Sequence, residues 1–196
     1  MAKKATKYGR TRRKSESDTS WRKIAIGTVI ALFVIALGIL LYLNLQEPEA
    51  LSGLARAVGL ERAHDEDVVY ADEGLPPMGG VHSGIWQNCG IYDEPVDSKN
   101  AVHSLEHGAV WVTYQPDLPN DDVETLRDVV SGEPFVLLSP YEELKSPVVL
   151  TAWGIQLEVD SADDDRIATF IERYERGPQT PEPGAICHDG TGTPIG

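Results

Sequence analysis

At 196 residues the chain has room for one folded domain plus appendages. Its net charge of −14 is split unevenly: residues 1–23 hold nine Lys and Arg against Glu16 and Asp18, so residues 24–196 carry −14 − 7 = −21. An acidic remainder of that size repels phosphate backbones and anionic lipid, which excludes nucleic acid as a natural partner.

The basic tail, residues 1–23, leads into Ile24–Leu43, an uncharged apolar run. About twenty such residues span a hydrocarbon core of roughly 30 Å as a helix. A cleaved signal peptide has an apolar core of about 7–15 residues ahead of a small-x-small site. This run is longer, and Asn44-Leu45-Gln46-Glu47-Pro48 offers no such site, so an uncleaved transmembrane anchor in the lipid bilayer is expected. Basic flanks stay on the cytoplasmic side, which puts the N-terminus inside and the acidic part outside the cell membrane.

Residues 44–67 read as a juxtamembrane linker, and residues 68–196 as the extracytoplasmic domain. Within the linker, Leu51, Leu54, Ala55 and Val58 fall at helical spacing, so Ala50–Ala63 is expected to form a short amphipathic helix, weakened by Gly53 and Gly59. From Val68 to Asn100 the chain is Gly- and Pro-rich, with Pro76-Pro77-Met78-Gly79-Gly80 at its centre, and reads as loop. Ala109–Tyr114 is a β-branched and aromatic strand that stops before Pro116. Asp121–Ser131 places Val123, Leu126, Val129 and Val130 on one helical face, with Asn120 as N-cap and Gly132 as stop. Phe135–Ser139 and Val148–Val159 read as strands, the second bent at Gly154. Asp163–Arg176 is the clearest helix, with Ile167, Phe170, Ile171 and Tyr174 on one face, a capping box from Ser161 and Asp164, and Gly177-Pro178 ending it. The pattern predicts a small single α+β domain with a mixed sheet and two or three helices. The order β-α-β-β-α is also that of the C-terminal half of a thioredoxin-like topology, although no C-x-x-C pair is present.

Chemistry concentrates between His82 and His107, which hold three of the five histidines and one of the two cysteines. His103-Ser104-Leu105-Glu106-His107 can present both imidazoles and Glu106 on one face if it is helical. If it is extended, His103 and His107 still share a face and Glu106 turns away. His82, His103, His107 and Glu106 are therefore the expected metal ligands, with zinc or copper as the cofactor. Met78 is the one methionine besides the initiator, so a Met-rich copper carrier is not indicated. A competing reading has the histidines bracing a loop in a structural or interaction module of the envelope, with no metal. A third is a small metallopeptidase, because the string spells H-x-x-E-H with Glu106 as general base. The roughly 130 residues available are few for such an enzyme.

Cys89 and Cys187, both outside the membrane on this orientation, are expected to form a disulfide. That bridge would tie the Pro- and Gly-rich tail to the loop holding Trp86. The alternatives are thiolate ligands beside His82 or His188, or free thiols.

Three strings together carry a resemblance: Pro76-Pro77-Met78-Gly79-Gly80-Val81-His82, then Trp86-Gln87-Asn88-Cys89-Gly90-Ile91-Tyr92, then Ala101-Val102-His103-Ser104-Leu105-Glu106-His107-Gly108-Ala109-Val110-Trp111. They resemble the bacterial family catalogued as domain of unknown function 3105, over approximately Val68 to the C-terminus. Departures at Val81 and Ser83, where the family has Pro and Asn, leave His82 in place. The resemblance implies a basic N-terminus and one anchor before the domain; it implies no activity, and no protein partner can be named.

Overall fold

The computed structural model describes residues 17–45, 51–71 and 74–195. Most of the basic tail and the start of the linker, residues 1–16 and 46–50, lie outside the described residues. The chain divides into two compact units, Met1–Glu47 and Pro48–Gly196. The first contains helix α1 (Ser17–Leu45), whose segment Trp21–Tyr42 is long and apolar enough to cross a membrane. Length and composition of this kind suit a membrane anchor or a signal sequence.

The second unit is an α+β domain on a six-stranded mixed sheet. Its elements are β1 (Ala55–Arg56), β2 (Gly90–Ile91), α2 (Ser98–Glu106), β3 (Val110–Tyr114), α3 (Asn120–Val130), β4 (Val136–Pro140), β5 (Val148–Ala152), β6 (Ile155–Val159) and α4 (Arg166–Tyr174). The strand order is β1-β6-β5-β3-β4-β2. β3 runs parallel to β4, and β4 to β2, whereas β5 and β6 are antiparallel to their neighbours. The β3–α3–β4 crossover is what allows two sequential strands to lie parallel side by side.

Alternation along the strands sorts the two faces. Val110, Val112, Val136, Leu138, Leu150 and Leu157 join Leu126 of α3 and Ile167, Phe170, Ile171 and Tyr174 of α4 in one core. Trp111 and Leu137 point the other way, meeting Val102 and Leu105 of α2 with Tyr92 and Trp153. That second face also buries polar groups, several of them paired within it. Trp111 Nε1 donates to Ser139 Oγ (3.0 Å), and Gln156 Nε2 to Thr151 Oγ1 (3.0 Å) and to Pro76 O (2.8 Å).

Four local expectations are corrected. Over 51–63 there is no α-helix: Gly53 and Gly59 adopt φ of 91° and 69°, Leu51 enters the main core, and Ala55 and Arg56 pair with Gln156 and Ile155 of β6. Sheet pairing and burial outweigh the apolar spacing that suggested a helix. Val148–Val159 is a hairpin, not one bent strand: Ala152 pairs with Ile155 across Trp153-Gly154, and Gly154 supplies the φ of 71° that a tight turn needs. Pro119, not Asn120, caps α3, its carbonyl accepting from Asp122 N and Val123 N. No capping box precedes α4. Ser161 Oγ accepts from Asp163 N, while the Asp164 carboxylate accepts from Arg166 N and from its guanidinium.

Candidate functional site

The conformation of the histidine string is settled by α2. Asp97 caps it, its side chain accepting from Lys99 N, and His107 closes it ahead of Gly108, where φ is 106°. His103 and Glu106 are therefore one turn apart on a helix, and Glu106 joins the cluster.

Two loop segments meet beside that helix turn. His64 and His82 form a parallel bridge in which His82 N donates to Ala63 O (3.1 Å) and Asp65 N to His82 O (2.8 Å). Glu66 fastens the same junction: its Oε1 accepts from Ser83 Oγ (3.0 Å) and Gly84 N (2.7 Å). Those two bonds, the backbone one foremost, hold the Glu66 carboxyl below its ordinary range. Ser83 N donates to Lys99 O, and Asn100 Nδ2 to Ser83 Oγ and Ile85 O, which lace the loop to α2.

The result gathers His64, His82, His103 and Glu106, with one ligand atom from each within 4.8 Å of the others. The three ring centroids stand 4.9 Å apart on every side. Two of the rings have fixed tautomers. His82 Nδ1 lies 2.7 Å from Gly80 O, and His103 Nδ1 lies 2.7 Å from Ser83 O. A carbonyl only accepts, so each Nδ1 carries a proton and donates it, and in the neutral ring each Nε2 presents a lone pair. This backbone tether is the arrangement that orients a metal-bound imidazole. Burial, outweighing the Ser83 hydrogen bond, pushes His103 down to about 4, with the neighbouring imidazoles adding to the effect. His103 is therefore neutral near pH 7.

The Glu106 carboxylate completes the set. Its Oε2 lies 3.0 Å from His82 Nε2 and 3.9 Å from His64 Nε2, and it is 2% exposed. His82 is wholly buried, and its Nε2 makes no hydrogen bond in spite of that short approach. A neutral His82 and an ionised Glu106 would face each other as two acceptors, an unfavourable arrangement unless a cation or a proton lies between them. Four N and O ligands around one zinc-like ion, at about 2.0–2.2 Å, sit roughly 3.3 Å from one another. The two Glu106 distances bracket that spacing, and all four ligand atoms lie within 4.8 Å of one another, so side-chain movement would be needed to close the set on one ion.

Of the residues singled out in the sequence, His82, His103 and Glu106 are thus brought together. His107 stands beside His103, ring centroids 4.5 Å apart, but outside the group of four. Its Nδ1 donates to Ile186 O (2.7 Å), and its Nε2 lies 3.8 Å from Glu182 Oε2. His64 was missed, because its segment reads as linker; its remaining signal was to be one of only five histidines. Cys89 and Cys187 lie at disulfide distance, Cα to Cα 5.3 Å, and no free cysteine remains. Cys89 N also donates to Cys187 O, Trp86 Nε1 to His188 O and Glu182 N to Glu106 O, so the tail lies along the loop and the end of α2. His188 itself is exposed beside Asp189.

No curated protein and no solved structure matches the chain. A family model does, described as a protein of unknown function (DUF3105), over residues 61–189, a span that takes in all four clustered side chains, both cysteines and every helix and strand from β2 to α4. With two thirds of its length matched by that model, the chain belongs to the DUF3105 family.

Proposed function

We propose that the domain binds one divalent transition metal, zinc or copper(II), through His82, His103, Glu106 and His64. The observation that carries this reading is the buried His82 Nε2, held 3.0 Å from the Glu106 carboxylate without a hydrogen bond. Imidazole with carboxylate suits these ions, and the pairing of both cysteines leaves no thiolate to favour copper(I). The tail charge of +7 and the apolar helix support a single-pass anchor with the domain outside the cell membrane, where a disulfide persists. The domain would there take part in envelope metal handling.

The metal-free competitor has a protonated His82 paired with Glu106 as a brace. The peptidase reading is not supported by the geometry. Its two motif histidines should both face the ion, whereas His107 lies outside the group of four and Glu106 lies within it. Metal content separates the first two. The untagged full chain, purified in detergent, should carry about one equivalent of zinc or copper by mass spectrometry, or take it up on addition. His82→Ala and Glu106→Ala should carry none. A wild-type chain that stays metal-free and shows no melting shift with added Zn²⁺ or Cu²⁺ refutes the proposal.

A further inference from the structure

The four ligands are held very unequally. His82 has its backbone clamped on both sides and its ring tethered to Gly80 O, and is fully buried. His103 has its ring tethered to Ser83 O and packed beside Trp86, ring centroids 5.7 Å apart. Glu106 is fixed by the helix and 2% exposed. His64 differs. Its backbone shares the clamp with His82 through Ala63 O and Asp65 N, but no carbonyl tether holds its ring among the described residues, and its side chain is 50% exposed.

Rotation about the His64 side-chain bonds can therefore remove one ligand and open the seat to water while the backbone stays still. An exposed side chain changes rotamer in picoseconds to nanoseconds, whereas moving His82 or His103 requires breaking the hydrogen bonds that close the loop over α2. Structural zinc sites fix all four ligands; sites that exchange or react keep one position open. The approach to this position is acidic: exposed Asp65 and Glu66 follow His64 directly, on a part of the chain whose summed charge is −21. Such a mouth raises the local concentration of cations.

We infer that His64 is an exchangeable fourth ligand, the port through which a divalent cation enters and leaves a preformed His82–His103–Glu106 seat. The domain handles its metal as transferable cargo, not as a fixed structural element. This rests on the metal-binding reading above, and the following experiment separates the two.

The untagged full chain in detergent is loaded with Zn²⁺ and mixed with excess chromogenic zinc chelator, and release is followed by stopped flow. His64→Ala and His64→Gln should still hold one equivalent at micromolar zinc and release it more than about 10-fold faster than wild type, since losing even an outer-shell partner costs about 10- to 100-fold in affinity. His82→Ala should hold none. If wild type loads and the His64 variants release at the wild-type rate, His64 is not a ligand and the inference fails. If they hold no zinc at all, the site is a closed four-ligand structural one and the inference again fails; in both cases zinc binding itself stands. If wild type takes up no zinc, both the inference and the reading beneath it fall.

Discussion

The two faces of the sheet are covered by opposite means. Against α3 and α4 the filling is apolar throughout, with Leu126, Ile167 and Phe170 packed on Val110, Val112, Leu138 and Leu150. Against α2 a thinner apolar layer of Trp111, Leu137, Val102 and Leu105 gives way to buried His82, Ser83, His103, Ser104 and Glu106. That layer is held by hydrogen bonds to loop carbonyls and by a tail joined through Cys89 and Cys187. Burying polar groups costs free energy even when they are paired, so the apolar face must supply much of the stability that lets the other be polar. Fold stability and candidate chemistry are segregated onto opposite sides of one sheet.

Removing the covalent tie should have the largest effect, lowering global stability and freeing the tail it holds. The double variant Cys89→Ser, Cys187→Ser loses a closure across 98 residues, worth about 4–5 kcal/mol by chain entropy. Hydrogen exchange should rise at 186–195 and around Trp86, while amides of β3 and β5 keep their order of protection. In the unreduced, denatured wild type, neither cysteine should alkylate.

Phe170→Ala strikes the apolar side. Emptying a fully buried aromatic site costs about 3–5 kcal/mol, which lowers Tm by roughly 10 °C. Zinc uptake by the folded fraction should be unchanged; impaired uptake would show that the faces are not separable.

Gly108 lies where α2 hands over to β3, and a Cβ there would stand 3.0 Å from Arg176 Cα and 3.1 Å from Thr180 Oγ1. With φ at 106°, Gly108→Ala should cost about 1–3 kcal/mol in a thermal melt. It should also loosen the start of the tail, whose Arg176 N donates to Gly108 O.

The smallest effect concerns pH on the apolar side. Burial raises the Glu175 carboxyl, against the pull of the hydrogen bond from Phe135 N, and nearby Glu133 raises it further. The folded chain then keeps this proton to higher pH than the unfolded chain does. Stability from this group is present at low pH and is lost as pH rises above the ordinary carboxylate range. Glu175→Gln should therefore raise Tm slightly at pH 8 and leave it unchanged near pH 4.

The same contrast explains what could be read from sequence. On the apolar side, periodicity is the cause of burial, so β3, α3, β4 and α4 were found within a few residues. The hairpin at Trp153-Gly154 was read as a bend, because Val148–Val159 is one unbroken apolar-rich run and a single glycine turns it. On the polar side, residue type marked His82, His103 and Glu106, but whether their string was helical stayed open until the structure showed α2 capped by Asp97 and closed at His107. His64 could not be placed, because what brings it to His82 is a two-residue bridge between loops, and such pairing leaves no periodic trace. His107 fits the same spacing rule as Glu106, yet it lies outside the group of four, with its Nδ1 donating to Ile186 O of the tail and its Nε2 3.8 Å from Glu182 Oε2.

That last difference offers the most direct test of the central claim. Zinc stoichiometry is measured side by side on full-length His103→Ala and His107→Ala. If the seat is His82, His103 and Glu106, His103→Ala should hold no zinc, and His107→Ala should hold about one equivalent, as wild type does. Loss of zinc in both variants, or retention in both, would contradict the account.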